Sequence, residues 1–259
     1  MLPSYEVVEL SLERLDEAGH QPVFGLCRIA KSERSEGRFS VGQAVLAPAS
    51  RNTAGQAEVD ARTCIPIPAG LLADRAMLVP RLAMALAATD AVALELGDVP
   101  ICTSGGEDLH LIATVCQWRS GRDVLVLDLS DGHFAATAGC RRIDSSDPQR
   151  AIEDISRASA TAPGAAAIVL SRKSDAVDIL LEAMPMWGRM IISSAGTEPA
   201  TIDFYNNVHR KGMSLVTGPA SPTVLFEPDA RTGLRHFAER AIQILRRDDL
   251  AAALCAPRV

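Results

Sequence analysis

The sequence predicts an α/β protein: a doubly wound parallel sheet preceded by a small, reduced β module. Two observations carry this. Up to about residue 72 the chain reads as strand and turn, whereas from about residue 98 short apolar strands alternate with helical segments. Strands that alternate with helices imply a parallel sheet covered on both faces, with ligands beyond the carboxyl ends of its strands. At 259 residues the chain can bury a substantial core, as one large domain or a domain plus a smaller module. The boundaries expected are 1–74 for the β module and 75–259 for the sheet domain with its linker and C-terminal helices.

In the first quarter, "YEVVEL" and "PVFGLCRIA" are β-rich and "FSVGQAVLA" alternates moderately. The two prolines of "CIPIPAGL" confine that stretch to an edge or loop. Ala76 to Leu96 is the longest apolar stretch, but Arg81, Asp90 and Glu95 make it a core or hinge helix and not a membrane span. The strands expected next are Val99–Thr103, Val124–Asp128, Arg141–Ile143, Ala166–Leu170, Met190–Ser194 and Ser214–Thr217. Helices are expected at Glu107–Trp118, Gly132–Ala138, Pro148–Ala158, Asp175–Met184, Ile202–Arg210 and Asp229–Arg246.

Composition narrows the function. The chain is 47% hydrophobic and 22% charged, as soluble globular proteins are. A formal charge of −6 with no basic run argues against binding to nucleic acid or an anionic membrane. The six cysteines stand singly, without the close pairs of zinc or redox motifs, and read as free thiols of a cytoplasmic protein. "MLPSYEVVEL" has no basic region followed by an apolar core, so no signal peptide is expected.

"ICTSGGEDLH", residues 101–110, lies between a strand and a helix, where a Rossmann-like fold puts its glycine-rich turn. Laid on G-x-G-x-x-G, the turn gives Thr103, Gly105 and Asp108 at the three glycine positions, with Gly106 adding backbone freedom. Ser104, Gly105 and Gly106 are therefore the candidate phosphate cradle. Asp128, at the end of the next strand, stands where an acid binds the ribose hydroxyls and would favour NAD over NADP; turn chemistry explains it equally well. Ser104 and Glu107 have capping-box spacing, so their side chains would take the N–H groups a pyrophosphate needs. Each carboxylate of Glu107 and Asp108 held about 5 Å from a phosphate charge costs roughly 3 kcal/mol at an effective dielectric of about 20. The turn keeps the shape of a nucleotide site and has lost much of its chemistry, so bound NAD is doubtful on these residues alone.

Further candidates line the same strand ends. Ser171, Arg172 and Lys173 follow the fourth strand, and Ser194 in "SSAG" follows the fifth. A guanidinium or ammonium there could neutralise an anionic ligand, or be an ordinary loop charge. Of the five histidines, His110 in the first turns of the helix after the loop is the candidate acid–base residue. His133 lies beside the adenosine position, while His20 and His236 look like surface residues. "FYNNVHRKG" gathers polar side chains but reads better as the C-terminus of a helix. Neither G-x-S-x-G nor a Walker loop occurs.

"MLVPRLAMALAATDAV", the 99–128 unit, "LLEAMPMWGRMIISS" with Gly188 at its tight turn, and "IDFYNNVHRKGMSLVTG" together resemble the medium-chain dehydrogenase/reductase superfamily, the zinc-type alcohol dehydrogenases. "GRFSVGQAVLAP" is similar to the family's glycine-aspartate strand, with Gln43 in place of the aspartate. The resemblance covers about residues 75–220 and implies a truncated, degenerate member whose N-terminal part is a reduced GroES-like module. The family's catalytic-zinc ligands and structural-zinc cysteines cannot be placed, so the resemblance implies no zinc. It implies an NAD(P)-linked oxidoreductase acting on a small organic metabolite, and a homodimer joined through the edge strand near Ser214–Thr217. The alternatives are a redox-neutral cyclase, lyase or isomerase that no longer binds NAD(P), and a non-catalytic partner protein.

Overall fold

A computed structural model describes residues 7–15, 24–32, 38–49, 56–103, 109–129, 139–170, 173–192, 201–218 and 232–254. It holds two sheets. The first is antiparallel, with β1 (Val7–Leu15), β2 (Gly25–Ser32), β3 (Ala44–Ala47), β4 (Gln56–Asp60) and β5 (Ile65–Pro66) in the order β4-β1-β2-β3-β5. Alternation makes these strands: Val8 and Leu10 of β1, and Cys27 and Ile29 of β2, turn inward onto Phe39, Val45 and Cys64. Arg28, between its two buried neighbours, faces out. The Pro-bearing β5 lies at an edge, where its missing N–H costs no ladder bond. β4 lacks an apolar run and was not among the expected strands; it pairs with β1 along its whole length, Val7↔Asp60 to Ser11↔Gln56. Gln43 closes the turn into β3, its side-chain carbonyl accepting the Ser40 N–H at 3.1 Å.

The second sheet is parallel and six-stranded. It contains β6 (Val99–Thr103), β7 (Val124–Asp128), β8 (Cys140–Asp144), β9 (Ala165–Val169), β10 (Arg189–Ile192) and β11 (Ser214–Thr217), in the order β11-β10-β9-β6-β7-β8. Numbered from β6 this is the 3-2-1-4-5-6 arrangement of doubly wound dinucleotide-binding sheets. Every residue of β6, β7 and β9 is buried, which is why their sequences are unbroken apolar runs. The edge strand β8 exposes Arg141 and Arg142. The connecting helices are α2 (Leu109–Ser120), α3 (Pro148–Ser159) and α4 (Ser174–Ala183). Asp147 caps α3, accepting the Arg150 N–H, with Pro148 at the first helical position.

Helix α1 (Ala73–Ala91) precedes this sheet, and α5 (Thr232–Leu245) and α6 (Asp248–Leu254) follow it. Among the described residues, none of these helices is long and apolar enough to cross a membrane. The expected Ile202–Arg210 helix is one π-helical turn, Phe204–His209, and the expected Gly132–Ala138 helix lies outside the described residues. The chain forms two compact units, Met1–Ala83 with Pro222–Cys255, and Met84–Ser221 with Ala256–Val259. The terminal helices α5 and α6 thus group with the antiparallel sheet, whereas the sequence boundaries put them with the parallel one.

At the amino ends of the parallel strands, Asp98 and Arg189 form an ion pair at 2.5 Å. Asp98 also accepts the Glu95 N–H, and Arg189 donates to the Ala93 carbonyl. Between them passes Gly164, where a Cβ would stand 2.6 Å from the Asp98 carboxylate. The pair therefore crosses from β6 to β10 over the start of β9, and only glycine leaves it room. Replacing Arg189 by Met strands a buried carboxylate, and we expect unfolding free energy in urea to fall by about 3–5 kcal/mol. A loss below about 1 kcal/mol would show that the pair is only a surface contact.

Candidate functional site

The carboxyl ends of β6, β7, β8 and β9 define the crevice of the parallel sheet, with its switch point between β6 and β9. Of the residues singled out in the sequence, Ser104, Gly105, Gly106, Glu107, Asp108, His133, Ser171, Arg172 and Ser194 lie outside the described residues. Asp128, Lys173 and His110 are described.

Thr103 ends β6 with its side chain fully buried, and its hydroxyl accepts the Leu170 N–H at 2.8 Å. This bond ties the last residue of β6 to the residue after β9, across the switch point. The side chain at the first fingerprint position thus serves as a cross-link, where a glycine would offer only backbone.

Asp128 ends β7 with a buried carboxylate, which forms an ion pair with the half-exposed Arg142 of β8 at 2.8 Å. Its backbone carbonyl accepts the Ser145 hydroxyl at 2.5 Å. The register sets Asp128 opposite Asp144, and the Arg142 charge is felt by both. Asp144 turns outward and accepts the Ser146 N–H, which holds its carboxyl below the usual range. The end of β7 therefore carries an acid and a base together, close to neutral as a pair. The sequence did not show Arg142 as part of this site, because an edge-strand arginine normally faces water.

Beside this strand end is a hollow of about 290 Å³, lined in part by Leu129, Ser145, Pro148, Lys173 and Asp178. Lys173 reaches back to donate to the Leu129 carbonyl at 2.7 Å, so its ammonium stands at the rim of the hollow. The structure thus brings Asp128, Arg142, Ser145 and Lys173 to neighbouring strand ends. His110 is half-buried in the first turn of α2, its carbonyl accepting the Thr114 hydroxyl at 2.9 Å.

The "FYNNVHRKG" segment has a structural task. The Lys211 ammonium donates to the Leu181, Glu182 and Met184 carbonyls at 2.7, 2.7 and 3.1 Å. It therefore satisfies the orphan carbonyls at the end of α4. His209 stacks on Tyr205 with ring centroids 5.7 Å apart. The turn expected at Gly188 differs in detail, since Trp187 takes the left-handed conformation at φ +62°. A Cβ at Gly188 would crowd the Met184 methyl at 2.8 Å and the Pro185 carbonyl at 3.0 Å, so glycine suits this tight turn. Trp187 is held by its N–H bond to the Lys211 carbonyl, and its indole lies over Gly212 too closely for a Cβ.

Among the described residues no three His, Cys, Asp or Glu side chains converge as a metal site requires. Burial pushes the Cys27, Cys64 and Cys140 thiols up to about 11, 12 and 11, so none is a nucleophile at neutral pH.

Neither the scan of protein-family models nor the search of curated proteins gives a match. Solved structures do match, over nearly the whole chain. Galactitol-1-phosphate dehydrogenase from Escherichia coli superposes with a TM-score of 0.73 at 11% identity, covering 97% of this chain and 85% of that one. The fold is that of the medium-chain dehydrogenase/reductases. A zinc-dependent alcohol dehydrogenase from Streptococcus pneumonia gives 0.69 at 14% identity, over 98% and 82% of the two chains. A Sinorhizobium meliloti chain described as a zinc-binding dehydrogenase, solved with NADP, gives 0.67 at 11%, over 100% and 91%. At such identities the likeness fixes the medium-chain fold and leaves the chemistry to the residues.

The capping role of Lys211 is open to measurement. Lys211→Met removes three charge-assisted bonds to carbonyls that would otherwise lack donors, and should destabilise the protein by about 1–3 kcal/mol in thermal unfolding. An unchanged melting temperature would contradict it.

Proposed function

We propose that the protein is a zinc-independent oxidoreductase of the dehydrogenase type, acting on a small organic metabolite in biosynthesis and binding NAD(H) beyond the carboxyl ends of β6 and β7. The observation that carries this is Asp128, an acid ending the second strand of a 3-2-1-4-5-6 sheet. Bound there, the dinucleotide would supply the hydride chemistry. Asp128 would hold the ribose, Lys173 would offset phosphate charge, and Ser104, Gly105 and Gly106 would give backbone donors. Ser171, Arg172 and Ser194 would border the same cleft, with His110 as its candidate proton-transfer group. Zinc independence rests on the absence from the sequence of the ligand set that zinc-type members use.

Arg142 changes the expected selectivity. With its charge beside Asp128, a 2′-phosphate is no longer simply repelled, so NADH and NADPH should bind within about tenfold of each other. In calorimetric titration Asp128→Asn should weaken NADH about tenfold or more, a loss of about 1.4 kcal/mol. Arg142→Met should leave NADH binding and depress NADPH. Equal NADH affinity in wild type and Asp128→Asn would overturn the assignment.

One observation favours a second reading. The Thr103–Leu170 cross-link occupies the switch point, and the following turn carries Glu107 and Asp108. A redox-neutral enzyme would use the crevice without cofactor, and would show no saturable binding even at millimolar NADH or NADPH.

Association with a second copy is also proposed. Among the described residues the edge strand β11 pairs only with β10, and Met186, Trp187, Phe204 and Tyr205, all more than 60% exposed, lie in the segments leading into these two strands. Sedimentation equilibrium at micromolar concentration should give a dimer that Val216→Lys dissociates; a wild-type monomer would contradict it.

A further inference from the structure

The unit built on the antiparallel sheet holds a cleft of about 410 Å³ that the dinucleotide reading does not use. Its walls are β5 with the segment after it, the face of α5 from Arg235 to Gln243, and Arg246 just past the helix end. Ile65, Ile67 and Ile242 give it an apolar lining. Among the described residues, three arginines, Arg38, Arg235 and Arg246, line this apolar space against one carboxylate, Glu239. In a chain of net charge −6, that local excess of positive charge runs against the average.

Arg38 lies over the ring of buried Phe39 at 5.3 Å, which fixes its direction. Arg235 has a buried Nη2 with no hydrogen-bond partner among the described residues. The carboxylate of Asp60, whose charge Arg235 feels, is already gripped by Arg62 through Nε at 2.9 and 3.1 Å and Nη2 at 2.6 Å. Burial first, and then the like charge of Arg38, make the Arg235 cation less comfortable than an ordinary arginine.

We propose that this cleft is a binding site for a small organic oxyanion, a carboxylate or phosphate monoester on a short apolar body, gripped by Arg235 and Arg38. The guanidinium fork fits both head groups through paired N–H bonds. The oxyanion would accept from guanidinium N–H groups turned toward the cleft and offset the repulsion between Arg235 and Arg38. The apolar body would lie on Ile65, Ile67 and Ile242, and Arg246 would face the open side. Glu239 at the rim disfavours highly charged ligands and restricts the site to small anions of one or two charges.

The test uses the full chain and four probes in calorimetric titration: phenyl phosphate, benzoate, inorganic phosphate and neutral benzyl alcohol. Phenyl phosphate or benzoate should bind saturably below millimolar concentration, and the tighter of the two names the head group. Arg235→Met, checked for a wild-type melting curve, should lose at least about tenfold in that affinity, or 1.4 kcal/mol. Arg38→Met carries the same test if Arg235→Met fails to fold, and Arg157→Met, on exposed α3, should bind as wild type. Four results would overturn the proposal: no oxyanion bound below millimolar, full affinity in the folded Arg235→Met or Arg38→Met protein, benzyl alcohol bound as well as benzoate, or inorganic phosphate bound as tightly as phenyl phosphate.

Discussion

The ion pair between Asp98 and Arg189, closed over Gly164, is the constraint on which the parallel sheet depends. It joins the residue before β6 to the first residue of β10 and passes over the start of β9. Sliding any of these strands by one residue would separate the two charges in a buried setting, which is far costlier than the pair is stabilising. Its value is therefore in register more than in net stability. At the other end of the same strands, Thr103 binds the Leu170 N–H. The switch point between β6 and β9 is thus fastened at both ends, and the crevice beyond it is built on a rigid floor.

The chemistry at that crevice follows from how charges are matched. A lone Asp128 would repel every phosphate nearby and would select against a 2′-phosphate. Paired with Arg142, it can still accept from a diol while presenting little net charge. Lys173, tied to the Leu129 carbonyl, adds a cation at the rim without closing the hollow.

How much of this was legible in the sequence depended on burial. Val99–Thr103, Val124–Asp128 and Ser214–Thr217 match the expected strands residue for residue, the first two because a strand buried on both faces must be an apolar run. β4, "QAEVD", was missed because a strand with polar side chains is recognised by its partner's ladder and not by its own pattern. Asp128 was legible as a strand-end acid. Arg142 was not, because its contact depends on the β7–β8 register, which periodicity does not give. The tight turn expected at Gly188 is there, but its left-handed residue is Trp187, whose indole packs on Gly212. Lys211 reads from sequence as the basic end of its own helical segment, whereas it caps α4 from a distance.

The central claim is that a dinucleotide occupies the crevice beyond β6 and β7, and hydrogen–deuterium exchange with and without NADH tests it most directly by locating the contact. The account predicts slowed exchange in the peptides covering 103–110 and 128–146, with the antiparallel sheet unaffected. Unchanged exchange in both peptides at millimolar NADH would contradict it.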